Sequence, residues 1–188
     1  MATLYVVATP IGNLEDITFR ALRVLREVDL ALCEDTRVTR KLLSRYDVRT
    51  PTLSYHARSG AAKIEKIIAL LKAGKNLALV SDAGTPTISD PGSMLVSAIR
   101  EQCGDSVAIV AVPGPSALTA ALSVAGVGTS DFLFLGFLPH KKGRQTLFAE
   151  IAASKRTVVF YESPHRIIKT LESLETYTPD RHVVIVRE

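Results

Sequence analysis

Short, largely apolar runs alternate along this chain with stretches in which apolar residues recur every three or four positions. The runs lie at residues 4–8, 29–33, 77–80 and 107–112. A strand that is apolar on both faces suits the interior of a parallel sheet covered on both sides. Between the first two runs, Ile17, Ala21, Leu22, Val24, Leu25 and Val28 share one face of a helix. The same reading predicts helices over 38–46, 61–72, 92–102 and 116–125, with Gly74 stopping the second, and a short strand at 52–55. Strands that alternate with helices predict an α/β domain built on a mainly parallel sheet.

The texture changes after Gly126-Val127-Gly128. Residues 132–137 are rich in aromatics, 139–144 form a basic loop, and a helix follows. A strand at 156–161, a helix from about 164 and a strand at 182–186 complete the pattern. A boundary near 126–130 is therefore expected, with one α/β domain over 1–126 and a second over 127–188. The second ends on a strand and reads as incomplete at its C-terminus.

Three strands end in glycine-proline turns: TPIGN (9–13), SDAGTP (81–86) and VPGPS (112–116). In a parallel sheet these turns share the carboxyl edge, where ligands bind. The plain alternative is ordinary strand-to-helix turns capped by Asp82 and Asp90. Three such loops on one edge favour a ligand site. The loops contain no lysine of the kind a triphosphate loop uses, and TPIGN does not fit a dinucleotide fingerprint.

Composition adds limits. The 188 residues are 47% apolar and carry a net charge of +4, with a pI near 9.2, which permits a nucleic-acid partner without requiring one. Cys33, Cys103 and four scattered histidines form neither a metal pattern nor a disulfide scaffold. With no membrane-length apolar run and no signal peptide, a cytoplasmic setting is expected.

Six motifs in order carry a resemblance: TPIGN, EDTR (34–37), SDAGTP, PGPSA (113–117), Gly136-Phe137-Leu138-Pro139 and YESPHR (161–166). Together they resemble the ribosomal RNA small subunit methyltransferase I family, within the tetrapyrrole methylase superfamily. The resemblance spans the whole chain, and the family's chains continue beyond Arg187-Glu188. It implies two α/β domains of the tetrapyrrole methylase type, a homodimer, and S-adenosyl-L-methionine in the cleft between the domains. It implies 2′-O-methylation of a cytidine ribose in small-subunit (16S) ribosomal RNA. The cofactor contacts it implies are Pro10, Asp82, Thr85, Ser116, Ala117 and Tyr161. Where tetrapyrrole methylases usually carry Gly-Asp-Pro, this chain has Ser81-Asp82-Ala83, which favours the ribosomal RNA branch. The rivals are a small-molecule (precorrin-type) tetrapyrrole methyltransferase and a non-catalytic RNA-binding module.

A ribose hydroxyl attacks only once its proton is drawn away, so a general base is expected. Glu34 and Asp35 end a strand, and Glu162 and His165 stand in the YESPHR tip; these four are the leading catalytic candidates. Asp16, His56 and Asp82 also qualify by type, with Asp82 better spent on the cofactor. Capping or pairing with Arg37 is the plainer role for the strand-end acids. For the YESPHR tip it is a helix start with Ser163 as cap and Pro164 first. Arg37, Arg40, Lys41 and Arg45 lie at helical spacing and form one stripe; His140, Lys141, Lys142 and Arg144 flank a glycine. Both basic groups are candidates to meet RNA phosphates, against the bland reading of solvated faces. Tyr55 and Phe137 are candidates for base stacking.

Overall fold

A computed structural model describes residues 1–187. The chain divides into two compact units, Met1–Ala117 and a second that begins at Leu118.

In the first unit the apolar runs become strands β1 (Ala2–Val7), β2 (Leu30–Cys33), β3 (Thr52–Ser54), β4 (Leu77–Leu79) and β5 (Val107–Val112). The periodic stretches become helices α1 (Phe19–Glu27), α2 (Thr36–Arg45), α3 (Ala61–Lys72) and α4 (Ser93–Cys103), and α5 (Ala117–Val124) begins at the unit's end. The strands form one sheet in the order β3-β2-β4-β1-β5, and every pairing is parallel, with Leu4 opposite Leu77 and Leu30 opposite Leu77 on the other side.

The two-residue period of a strand divides each apolar run between two cores. Leu4, Leu32, Leu77 and Leu79 pack with Ile64, Ile67, Ile68 and Leu71 of α3 and Leu95 and Ile99 of α4. Val7, Cys33, Ala78 and Val80 face the other way, onto Ala21, Leu22, Val24 and Leu25 of α1 and Leu42 and Leu43 of α2. Both faces of the sheet are thus covered, which is why the runs are continuous rather than alternating. Truncating a side chain such as Leu4 or Ile67, both fully buried, should cost about 2–5 kcal/mol.

With this order, right-handed crossovers decide which face each helix covers. The chain moves one way along the sheet from β1 through β2 to β3, with α1 and α2 on one face. It returns through β4 to β5, with α3 and α4 on the other. Strand β4 therefore winds in the opposite direction from both of its neighbours, β2 and β1. Such reversals open crevices at the carboxyl ends of the strands, here at the tips of β2, β4 and β1.

The second unit holds β6 (Phe132–Phe137), α6 (Arg144–Ala153), β7 (Thr157–Tyr161) and α7 (Ile167–Tyr177). Strands β6 and β7 pair in parallel across α6, with a register shift between Phe134 and Phe137, where Gly136 takes φ +61°. Leu138, Phe148, Ile151 and Leu174 form the core. Two expectations need correction here. Helix α7 starts at Ile167 rather than near 164, after a turn in which the Ser163 carbonyl accepts the amides of Arg166 and Ile167; no side chain caps it. The expected strand at 182–186 does not form. A strand needs a neighbour to complete its hydrogen bonds, and Val183, Val184, Ile185 and Val186 are instead 42–58% exposed.

Candidate functional site

The turns after β1, β4 and β5 are stitched together by their own backbones. Thr9 and Gly84 exchange amide–carbonyl bonds of 2.9 and 3.0 Å. The Thr9 hydroxyl lies 3.1 Å from the Ser81 carbonyl, and the Thr85 hydroxyl donates to the Pro115 carbonyl at 3.1 Å. Gly84 sits at φ +80° with Ile11 within 3.4 Å of where a Cβ would project. A Cβ at Gly114 would come within 3.0 Å of the Ala8 Cβ. These glycines allow the turns after β4 and β5 to close on the β1 tip. Pro10 is buried beneath them, and Ser116 and Ala117 are half-buried at the start of α5.

On the other side of β4 the chemistry is acidic. The Asp82 carboxylate accepts the Asp35 amide at 3.1 Å, joining the β4 tip to the β2 tip. Neither Asp82 nor Asp90 caps the following helix, since Gly92 stands at the cap of α4 with no side-chain hydrogen bond. Glu34 is half-buried. Burial, then the nearby Asp90 and Asp82 carboxylates, push its pKa up to about 7. Burial also raises Asp90, against a hydrogen bond from Ser81, with Asp82 adding to the rise. Asp35 goes the opposite way. Its carboxylate accepts the Arg37 amide at 2.8 Å and caps α2, and it pairs with the Arg37 guanidinium at 2.6 Å. Those bonds hold it down to about 2. The two adjacent acids thus have different chemistry: Asp35 is a committed anion, while Glu34 exchanges its proton near neutrality.

The YESPHR tip also separates into roles. The Glu162 side chain is 3% exposed and pairs with Arg166 at 2.5 Å and with Arg144 at 3.7 Å. It accepts the Thr170 hydroxyl at 2.7 Å and the Ser163 amide at 2.8 Å. Burial opposes its ionisation, but the Thr170 and Ser163 hydrogen bonds, with Arg166 and Arg144, outweigh it and hold the carboxyl below its ordinary value. Glu162 is a structural anion. His165 is exposed beside it. At the end of β7, Tyr161 meets Phe134 edge-on at 5.1 Å and Phe137 at 5.3 Å. Phe137 is 55% exposed, whereas Tyr55 is buried in the α3 core, where no base can reach it.

The basic groups differ in freedom. Arg37, Arg40, Lys41 and Arg45 are all exposed on α2, with Thr39, Leu42 and Leu43 on its buried face. Arg37 is engaged by Asp35, and Arg40 Nε donates to the Thr52 hydroxyl at 3.3 Å. Lys141 and Lys142 are exposed, while the Arg144 guanidinium is only 17% exposed. A shallow depression of about 370 Å³ lined by Arg40, Leu43, Arg49 and Thr50 lies between α2 and the amino end of β3. It is separate from the acidic tips. Sequence reading gave Asp90 only a cap's role and passed over Thr9; a second acid eight residues after Asp82 was the available signal for the first.

A wholly parallel sheet wound in both directions, with tight turns and acids gathered at the tips of β1, β2 and β4, defines a doubly wound α/β domain, a fold in which ligands bind at the carboxyl edge. Residues 3–188 match the profile of the Tetrapyrrole (Corrin/Porphyrin) Methylases, and the chain belongs to that family. It is 50% identical to the ribosomal RNA small subunit methyltransferase I of Thermotoga maritima, over 100% of this chain and 83% of that protein. It is 48% identical to the protein of the same name from Halalkalibacterium halodurans, over 99% of this chain and 64% of that one. The solved structure of a diphthine synthase shares the fold at a TM-score of 0.68 and 15% identity, covering 95% of this chain and 72% of that chain. Uroporphyrin-III-C-methyltransferase from Thermus thermophilus does so at 0.62 and 20%, covering 97% and 75%. The chain is an S-adenosyl-L-methionine-dependent methyltransferase of this family.

The residues at the tips fit that methyl donor. A sulfonium and an ammonium are cations, and adenosine presents hydroxyl and amino donors. Asp82 supplies negative charge on one side of β4, with Glu34 and Asp90, both shifted toward their neutral forms, adding acceptor oxygens; close-packed backbone lies on the other. The same charge would repel a phosphorylated cofactor.

Proposed function

We propose that this chain methylates a ribose 2′-hydroxyl of a cytidine in small-subunit ribosomal RNA, acting in the cytoplasm as a homodimer. One observation carries the reading. Half of its residues are shared, across the whole chain, with a protein named as a ribosomal RNA methyltransferase, whereas the tetrapyrrole and diphthine enzymes of this fold share a fifth or less.

Pro10, Asp82, Thr85, Ser116, Ala117 and Tyr161 are the residues assigned to hold the methyl donor. S-adenosyl-L-methionine brings a methyl group already activated on sulfur. The protein is left with two tasks, positioning the hydroxyl and removing its proton. Positioning contributes about 7–11 kcal/mol in well-oriented systems, and the stitched tips of β1, β4 and β5 supply the rigidity it needs. For proton removal we assign Glu34. Among the four leading candidates, Asp35 is bound by Arg37, Glu162 is buried under two arginines, and His165 stands on an exposed turn. Glu34 alone combines partial burial with a proton that exchanges near neutral pH. As an acceptor on oxygen it would take the hydroxyl proton as the new oxygen–carbon bond forms.

The test supplies labelled S-adenosyl-L-methionine with either small ribosomal subunits or a tetrapyrrole precursor, then maps the labelled nucleotide. Label on a ribose of the small-subunit RNA is expected. Label on the tetrapyrrole alone would transfer the protein to the small-molecule branch, and cofactor binding without transfer to either would defeat the reading.

A further inference from the structure

Beneath the loop Pro139–Gly143 lies a cluster with more positive than negative charge. Arg144 and Arg166 share one carboxylate, Glu162. All three side chains are below 20% exposed, and the Arg166 Nε is buried without a hydrogen-bond partner. Thr170, fully buried, donates to Glu162 and accepts from Arg144 at 2.7 Å. Surplus buried charge is costly unless something compensates it.

The two guanidiniums also hold the start of the loop. Arg166 Nη1 donates to the Leu138 carbonyl at 3.0 Å, and Arg144 Nη1 donates to the Pro139 carbonyl at 3.2 Å. The far end is closed by the Arg144 amide on the Lys141 carbonyl at 3.2 Å and by Gly143 at φ +80°. Arg144 further lies 5.0 Å over the Phe148 ring, so its own place is fixed by the core. The loop carries His140, Lys141 and Lys142 outward, and neither lysine has an ion-pair partner among the described residues. Lysines that only aid solubility need no such support.

We propose that the Glu162–Arg144–Arg166–Thr170 cluster is a positioning device that holds Lys141 and Lys142 against the phosphate backbone of the RNA substrate. Arg144 and Arg166 act from below, through the loop carbonyls and their surplus charge, and do not themselves touch phosphate. This inference rests on the ribosomal RNA reading above and names the surface through which that substrate is gripped.

The experiment compares four proteins: the parent, Lys141→Ala/Lys142→Ala, Glu162→Gln, and the triple variant. Each is titrated with salt against a single-stranded RNA oligonucleotide, and methyl transfer to small subunits is followed in parallel. The lysine pair should reduce the logarithmic salt slope by roughly 0.7 per lysine. Glu162→Gln, which keeps the side chain's shape and one of its two acceptor oxygens but removes its charge, should reduce the slope too, and should add nothing in the lysine-free background. Affinity for S-adenosylhomocysteine should stay unchanged in the lysine pair. If Glu162→Gln does not melt cooperatively, Thr170→Val replaces it, removing the bridging hydroxyl at constant shape. An unchanged slope for the lysine pair overturns the inference. So does a Glu162→Gln effect as large without the lysines as with them, which would mark the cluster as structural only. A parent that shows the slope changes but transfers no methyl to subunits overturns the ribosomal reading while leaving the grip in place.

Discussion

Glu34 lies where ionisation is disfavoured, half-buried with Asp90 and Asp82 close by. Its folded pKa, about 7, stands above its ordinary value of 4.5. The stability tied to its neutral form is therefore complete below about pH 4.5 and is lost as pH rises through about 7. Two opposite effects of Glu34→Gln follow. The variant should melt higher than the parent above pH 7 and at the same temperature below pH 4.5. Its methyl transfer should fall by about 10²–10⁴-fold. In the parent, transfer should climb with pH through about 7 and then level off. A melting series and a rate profile across pH measure both, and a variant with full activity would remove Glu34 from the mechanism. The sequence placed Glu34 on a strand end among several equivalent acids. It could not separate Glu34 from Asp35, because the rise at Glu34 comes first from burial and then from Asp90 and Asp82, residues 56 and 48 positions further on, and only the folded chain supplies either. Arg37, by contrast, was legible as a partner for the strand-end acids, and the structure gives it to Asp35.

Helix α2 shows how much an element's pattern says and where it stops. Its helical spacing was visible in the sequence and its ends fall within two residues of expectation, because buried Leu42 and Leu43 recur against exposed Arg37, Arg40, Lys41 and Arg45. Helix α3 and strand β5 match their predicted bounds to the residue, since Gly74 and Pro113 terminate them chemically. The pattern could not tell which charges are already engaged. Arg37 is, so Arg37→Gln alone should change little. Neutralising Arg40, Lys41 and Arg45 together should lower the salt slope of RNA binding by about 0.7 for each phosphate no longer neutralised. The rate should fall and the methylated nucleotide should stay the same, because phosphate contacts position without reading sequence. A salt titration with nucleotide mapping checks this, and an unaltered slope would return the stripe to a solvated face. The strand expected at 182–186 and the helix expected from 164 departed for different reasons. Apolar content says that a strand is possible, but a hydrogen-bonding neighbour decides whether it forms; the serine-proline pair announces a helix, but the Ser163 carbonyl first closes a turn over residues 164–166.

At the scale of the whole molecule, the modest net charge of +4 concentrates in α2 and the 139–144 loop rather than spreading evenly, while the strand tips of the first unit are acidic. That division matches a chain that binds a cationic methyl donor at one place and an anionic polymer elsewhere. If the active form is a homodimer, light scattering at micromolar concentration should return twice the 20.3 kDa chain mass, and a monomer mass that persists as concentration rises would refute it. The alternation of strand and helix was readable from the amino-acid pattern; the order β3-β2-β4-β1-β5 was not. That order has a consequence for how the chain is made. Strand β1 lies between β4 and β5, and β2 lies between β3 and β4, so β1 has no neighbour until Leu77 leaves the ribosome to meet Leu4. Until then the nascent chain carries a complete apolar strand with nothing to pair it. A fragment ending at Gly74 should therefore show no cooperative thermal transition by circular dichroism, and extending it through β5 should create one. A cooperative melt in the shorter fragment would refute this. Until β4 arrives the emerging protein is a client for whatever shields apolar chain from aggregation, and its folding should be slow, as closure between distant partners requires.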